Sequence, residues 1–70
     1  MQKIEITIEK GKGHYGAYAE NVEMITGIGD SIEEAKASIF NCIEIIKTFP
    51  TEQIPLALKS DYELIWKGEF

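Results

Sequence analysis

Seventy residues allow one small domain and no second core, because a chain this short buries only ~60% of the surface its unfolded form exposes. With 44% hydrophobic and 27% charged residues the composition is that of an ordinary globular domain, which excludes a disordered tail and a fibrous repeat. The formal net charge is −5 and all seven basic residues are lysines; without arginine or clustered positive charge the chain is a poor nucleic-acid binder, and its field favours a basic partner.

The longest apolar runs, such as Ile54 to Leu58, are far too short to cross a bilayer, and Met1-Gln2-Lys3-Ile4-Glu5 places a carboxylate where a signal peptide needs an apolar stretch. The expected address is cytoplasmic. Cys42 is the only cysteine, so it forms no internal disulfide and anchors no zinc cluster; it reads as a small buried hydrophobe.

Residues 3 to 9, Lys3-Ile4-Glu5-Ile6-Thr7-Ile8-Glu9, alternate strictly between polar and apolar and predict a strand with Ile4, Ile6 and Ile8 on one face. Lys10-Gly11-Lys12-Gly13 then supplies a hairpin turn into a second strand from His14 to Glu20. In that strand Tyr15, Ala17 and Ala19 share one face, Gly16 and Tyr18 the other, and the small residues leave room for a helix to approach. Asn21 and Val22 begin a turn, and Met24 to Ile28 form a short third strand interrupted by Gly27.

Gly29-Asp30-Ser31 announces a helix. Ser31 and Glu34 form a capping box, in which each side chain satisfies the other residue's orphaned N–H, and Asp30, Glu33 and Glu34 place negative charge at the positive end of the macrodipole. Ile32, Ala35, Ile39, Cys42, Ile43, Ile46 and Phe49 recur at helical spacing as one apolar stripe, and Pro50 stops the run, giving a helix over about residues 32 to 48. Phe40 and Ile45 flank the stripe and widen it, as burial against a partner requires. Thr51 to Ser60 is a connector with one helical turn packed on the core edge. Asp61 to Lys67 is a final strand with Tyr62, Leu64 and Trp66 on one face and Ile65 on the other.

The order β-β-β-α-β implies an α+β fold: a three-stranded antiparallel meander, one helix across one face, and a last strand returned by a crossover to lie parallel to the first. Strands three and four are then open edges of a four-stranded mixed sheet.

Candidate chemistry is sparse. Gly11, Gly13 and Gly16 spell a G-x-G-x-x-G, but a strand follows where a dinucleotide site needs a helix N-terminus, so the glycines read as a turn. His14, the only histidine, sits in a glycine-rich hairpin with no nucleophile and orienting carboxylate beside it, and reads as a solvated strand residue. Glu5 and Glu9 share a strand face but lie ~13 Å apart, too far to share one small cation. No catalytic residue, metal or cofactor is expected. Tyr15, Tyr18, Tyr62 and Trp66 are either cross-strand packing or, on the uncovered sheet face, an exposed interaction patch.

Tyr15-Gly16-Ala17-Tyr18-Ala19-Glu20-Asn21-Val22, followed by Gly27-Ile28-Gly29-Asp30-Ser31-Ile32-Glu33-Glu34-Ala35, resembles the HicB family of bacterial antitoxins at its second strand and its strand-to-helix junction. Lys59-Ser60-Asp61-Tyr62-Glu63-Leu64 resembles the last strand of HicB-like proteins, and the likeness extends over nearly the whole chain as a single domain, 1–70. The resemblance implies a partial RNase-H-like fold of β-β-β-α-β order and a non-catalytic role: binding and neutralising a small basic HicA-like toxin that cleaves mRNA. Tyr18, Glu20, Glu33 and Trp66 are the candidate partner-binding residues, the acids complementing a basic toxin and the aromatics anchoring it. Two departures stand out. Val22-Glu23-Met24 occupies the place of the family's Pro-Gly-type turn, and the helix-turn-helix or ribbon-helix-helix domain by which many members bind DNA is not part of these residues. The RNase H carboxylates have no residue-by-residue match. A second reading is a structural homo-oligomerisation domain of a larger regulatory protein, since so small a core gains from added interface burial; a homo-oligomer is expected under either.

Overall fold

The structure, a computed structural model, describes residues 1–68 of the chain. Strands β1 (Gln2–Lys10), β2 (Tyr15–Ala19) and β3 (Thr26–Gly29) precede helix α1 (Ile32–Ile46), and β4 (Tyr62–Gly68) closes the fold. The sheet order is β3-β2-β1-β4, with β1 antiparallel to β2, β2 antiparallel to β3, and β4 parallel to β1. This is the expected α+β arrangement, one helix on a four-stranded mixed sheet with β3 and β4 at its edges.

The alternation of β1 is resolved by burial. Ile4, Ile6 and Ile8 are wholly inaccessible, and with Ile25, Ile39 and Ile43 they make a core built almost entirely from isoleucine. Each buried isoleucine contributes ~1.5–3 kcal/mol of transfer free energy, and β-branching suits it to β1, which carries three of the six. Ala17, Ala35, Ile46 and Leu58 complete the layer.

Small residues of β2 are not where the helix comes closest. It lies chiefly against β3 and only secondarily against β2. A Cβ added at Gly27 would stand 3.0 Å from the backbone nitrogen of Ile39, and one at Gly29 would stand 2.6 Å from that of Ala35. Two glycines one pleat apart therefore let the helix backbone settle onto the edge strand, and Gly27 is a packing residue within β3, not an interruption. The third strand also starts later than the sequence suggests, because Met24 takes a positive φ of 72° that no strand accommodates. Ile25 still turns into the core, and its carbonyl accepts the Ala19 N–H at 3.0 Å.

The helix start follows its cap. Ser31 Oγ accepts from the Glu34 N–H at 3.1 Å, whereas Glu34 Oε1 accepts from the N–H of Asp30, one residue further back than a reciprocal box requires. At the other end α1 stops at Ile46; tighter bonds, Thr48 N–H to Ile45 C=O and Phe49 N–H to Ile46 C=O, carry the chain out before Pro50. The residue preceding a proline disfavours the α region, so the helix unwinds before the ring is reached. The connector holds two 3₁₀ turns instead of one, Thr51–Gln53 and Leu56–Leu58, each entered from a proline; the second brings Leu58 onto the core beside β1.

Cys42 is half-buried, not fully buried, and its thiol donates to the Met24 carbonyl at 3.2 Å, tying α1 to the positive-φ turn. His14 lies in the turn ahead of β2, exposed, its ring nitrogen 3.2 Å from the Lys12 carbonyl oxygen. No helix among the described residues is long and apolar enough to cross a membrane.

Candidate protein-binding site

Because α1 covers one face of the sheet, the other is left open, and the register fixes what it displays. Opposite the buried isoleucines, β1 presents Lys3, Glu5, Thr7 and Glu9; Thr7 pairs with Tyr18 on one side and with Lys67 on the other, and Glu5 pairs with Ile65. Glu20 follows next along β2, with Thr26 and Ile28 beyond on β3.

At the centre of this face four side chains form one network. Lys67 Nζ lies 2.9 Å from Glu5 Oε1 and 3.2 Å from Glu20 Oε2, and the Thr7 hydroxyl donates to that same Glu20 oxygen. The Thr7 hydrogen bond, reinforced by the Lys67 ammonium, holds the Glu20 carboxyl below the usual glutamate range; Glu5 and Glu20 in turn hold Lys67 above the usual lysine range. Such exposed pairs add little stability. Their effect is to fix two carboxylates in place on a solvated surface, with accepting capacity left on each. Beside them Tyr18 is 40% and Ile28 64% exposed, so the acidic centre has apolar flanks.

Asn21 holds this corner of the sheet. Its side-chain oxygen accepts the Glu5 N–H at 3.0 Å while its amide donates to the Lys3 carbonyl at 2.8 Å, so the side chain occupies the place of a further β2 residue on β1. Together with the Glu20 N–H to Glu5 C=O bond, it keeps Glu5 and Glu20 side by side where β2 leaves the sheet.

The four residues expected to bind a partner do not meet. Tyr18 and Glu20 are neighbours on the open face. Trp66 pairs with Ile6 and so points to the helix side, where its ring packs edge-on against Phe40 at 5.8 Å and lies 5.2 Å beneath the Lys36 ammonium. Glu33 is exposed in the first turn of α1, across the sheet from Tyr18. Of the four aromatics weighed for an exposed patch, only Tyr18 belongs to the open face; Tyr15, Tyr62 and Trp66 pack against the core from the helix side. Thr7, Glu5 and Lys67 complete the network, and strand alternation alone had placed Glu5 and Thr7 on one polar face.

Among the described residues no three His, Cys, Asp or Glu side chains converge on a metal-sized point. Two of the shallow depressions among the described residues lie away from this network. One, of about 460 Å³, is lined by Asn21 to Met24 and Glu52 to Ala57. The other, of about 340 Å³, runs between α1 and the start of β3 and includes Met24, Thr26, Cys42, Ile45 and Phe49. No protein-family model, characterised protein or solved structure matches the chain.

Proposed function

We propose that the chain is a non-catalytic binding domain of antitoxin type, which neutralises a small basic HicA-like mRNA-cleaving toxin by covering its RNA-facing surface. The observation that carries this reading is the open sheet face. It shows four carboxylates, Glu5, Glu9, Glu20 and Glu63, against two lysines, Lys3 and Lys67, with Tyr18 exposed beside the central network. An RNA-binding surface is basic by necessity, and pre-positioned carboxylates meet its lysines and arginines without first giving up much side-chain freedom. The β-β-β-α-β order and the resemblance around Tyr15 to Val22 and Gly27 to Ala35 support the same reading. The working site is then Tyr18 and Glu20 with Glu5; Trp66 serves the helix packing and Glu33 stands off the interface. The cytoplasm, where mRNA is cleaved, is the corresponding location.

Titration of the purified chain with a purified HicA-like toxin, read by calorimetry and by mRNA cleavage, tests this. The native chain is expected to bind and stop cleavage. Tyr18→Ala combined with Glu20→Lys removes ~2 kcal/mol or more, roughly thirtyfold in affinity, whereas Glu33→Lys leaves it unchanged. No complex at micromolar concentration, with cleavage undiminished, refutes the reading.

A further inference from the structure

The two edges of the sheet differ in how they are finished. At β3 the Ala19 N–H bonds to the Ile25 carbonyl, so the odd-numbered residues of β3 face β2 and Thr26 and Ile28 face outward. The Ile28 N–H, one of only two outward donors on this four-residue strand, already bonds to Ser38 Oγ of the helix at 3.1 Å. This edge is short and partly closed by its own chain.

At β4 the Gln2 N–H bonds to the Asp61 carbonyl at 3.1 Å, and in a parallel ladder alternate residues bond to the same neighbour. Odd-numbered residues therefore face β1, and Tyr62, Leu64 and Trp66 turn their N–H and C=O groups outward along a seven-residue strand. Their side chains lie on the helix side and are only half-buried, because α1 sits over the opposite edge. Phe40, which reaches across to Trp66, is 53% exposed.

We infer that the β4 edge pairs antiparallel with the β4 edge of a second copy of the chain, about a two-fold axis at Ile65. The strand is complementary to itself there. Ile65 is the midpoint of Tyr62–Gly68, and Glu63 and Lys67 lie two positions to either side of it with opposite charge. An axis at Ile65 sets each Glu63 against Lys67 of the second copy and Ile65 against Ile65 on the open face. On the helix side each Leu64 meets Trp66 of the second copy, and these two exchange the outward hydrogen bonds. Moving the axis to Glu63 opposes two carboxylates, which is destabilising for directly facing strand residues. Moving it to Leu64 leaves Gly68 unpaired. The axis at Ile65 also brings two Phe40–Trp66 pairs toward a shared seam and produces a continuous eight-stranded sheet with the acidic network once in each half. A foreign strand would need the same charge order to match this edge; a second copy has it by construction.

Sedimentation of the full chain alone, over micromolar to millimolar concentration, tests the inference independently of any toxin. A reversible dimer is expected. Ile65→Lys and Ile65→Asp, on the open face and outside the core, each place like charges on the axis and are expected to give monomers with unchanged circular dichroism. An equimolar mixture of the two is expected to recover the dimer, since an ammonium then faces a carboxylate. A monomeric native chain throughout the range, a dimer that survives either single substitution, or a mixture that stays monomeric overturns it.

Discussion

Replacing Gly29 and, separately, Gly16 by alanine applies the same chemical change to two strand positions with opposite surroundings. At Gly29 the new Cβ would stand 2.5 Å from Glu34 Cβ and 2.6 Å from the Ala35 backbone nitrogen, so the first turn of α1 has to move. Overpacking of this kind costs ~1–3 kcal/mol, and displacing Ser31 and Glu34 puts at risk a cap worth ~1 kcal/mol more. At Gly16, on the open face, nothing lies within 4 Å of the added carbon. There the loss of unfolded-chain freedom dominates and Gly16→Ala is expected to stabilise by ~0.4–1 kcal/mol. The two variants should therefore differ by ~2–4 kcal/mol, a large part of the total for a domain whose stability is ~0.05–0.15 kcal/mol per residue. Urea unfolding followed by the fluorescence of Trp66, the only tryptophan, measures both, with slopes checked for equality so that midpoints compare directly. A Gly29→Ala variant as stable as Gly16→Ala would refute the close seating of the helix on β3.

Three further outcomes follow from the packing and the polar network. Asn21→Ala removes two hydrogen bonds to the β1 backbone and is expected to cost ~1–2 kcal/mol, with faster amide exchange at Glu5 as the local signature in NMR. Trp66→Ala, read by circular dichroism, strips the Phe40 and Lys36 contacts from a half-buried ring and is expected to cost ~2–3 kcal/mol, below the range for a fully buried tryptophan. Folding depresses the Glu20 pKa, so its contribution is fully present above the unfolded value of ~4.3 and is lost as pH falls through the lower folded value. An NMR titration of the Glu20 carboxyl is expected to move its midpoint upward in Thr7→Val, where the first cause of the depression is gone.

The sequence exposed those features that local chemistry fixes. Alternation in β1 is legible because one face is entirely buried, and Ser31 with Glu34 marks the helix start because orphaned N–H groups have few remedies. The parallel return of β4 follows from handedness and the meander before it. Hidden features depended on which face the helix chose and where along the sheet it lay. Spacing shows that Tyr62, Leu64 and Trp66 share a face, but not that α1 covers that face, so Trp66 looked equivalent to Tyr18. Gly27 looked like a break and Gly29 like part of the lead-in to the helix, because the atoms that fill their missing side chains, on Ala35 and Ile39, come from the helix. Asn21 looked like a turn residue because nothing local shows that its amide will replace a strand residue on β1 sixteen positions away.

The neighbour that completes β1 is the last strand described: Gln2 pairs with Tyr62, sixty positions on, and Ile8 with Gly68. During synthesis the meander and helix can leave the ribosome and begin to pack while β1, an inner strand of the finished sheet, still shows a bare flank. Closure of so distant a contact is slow and must wait for translation to reach residue 68. Until then the nascent protein carries a vacant seat shaped for β4, and any extended segment that takes it first competes with the chain's own completion.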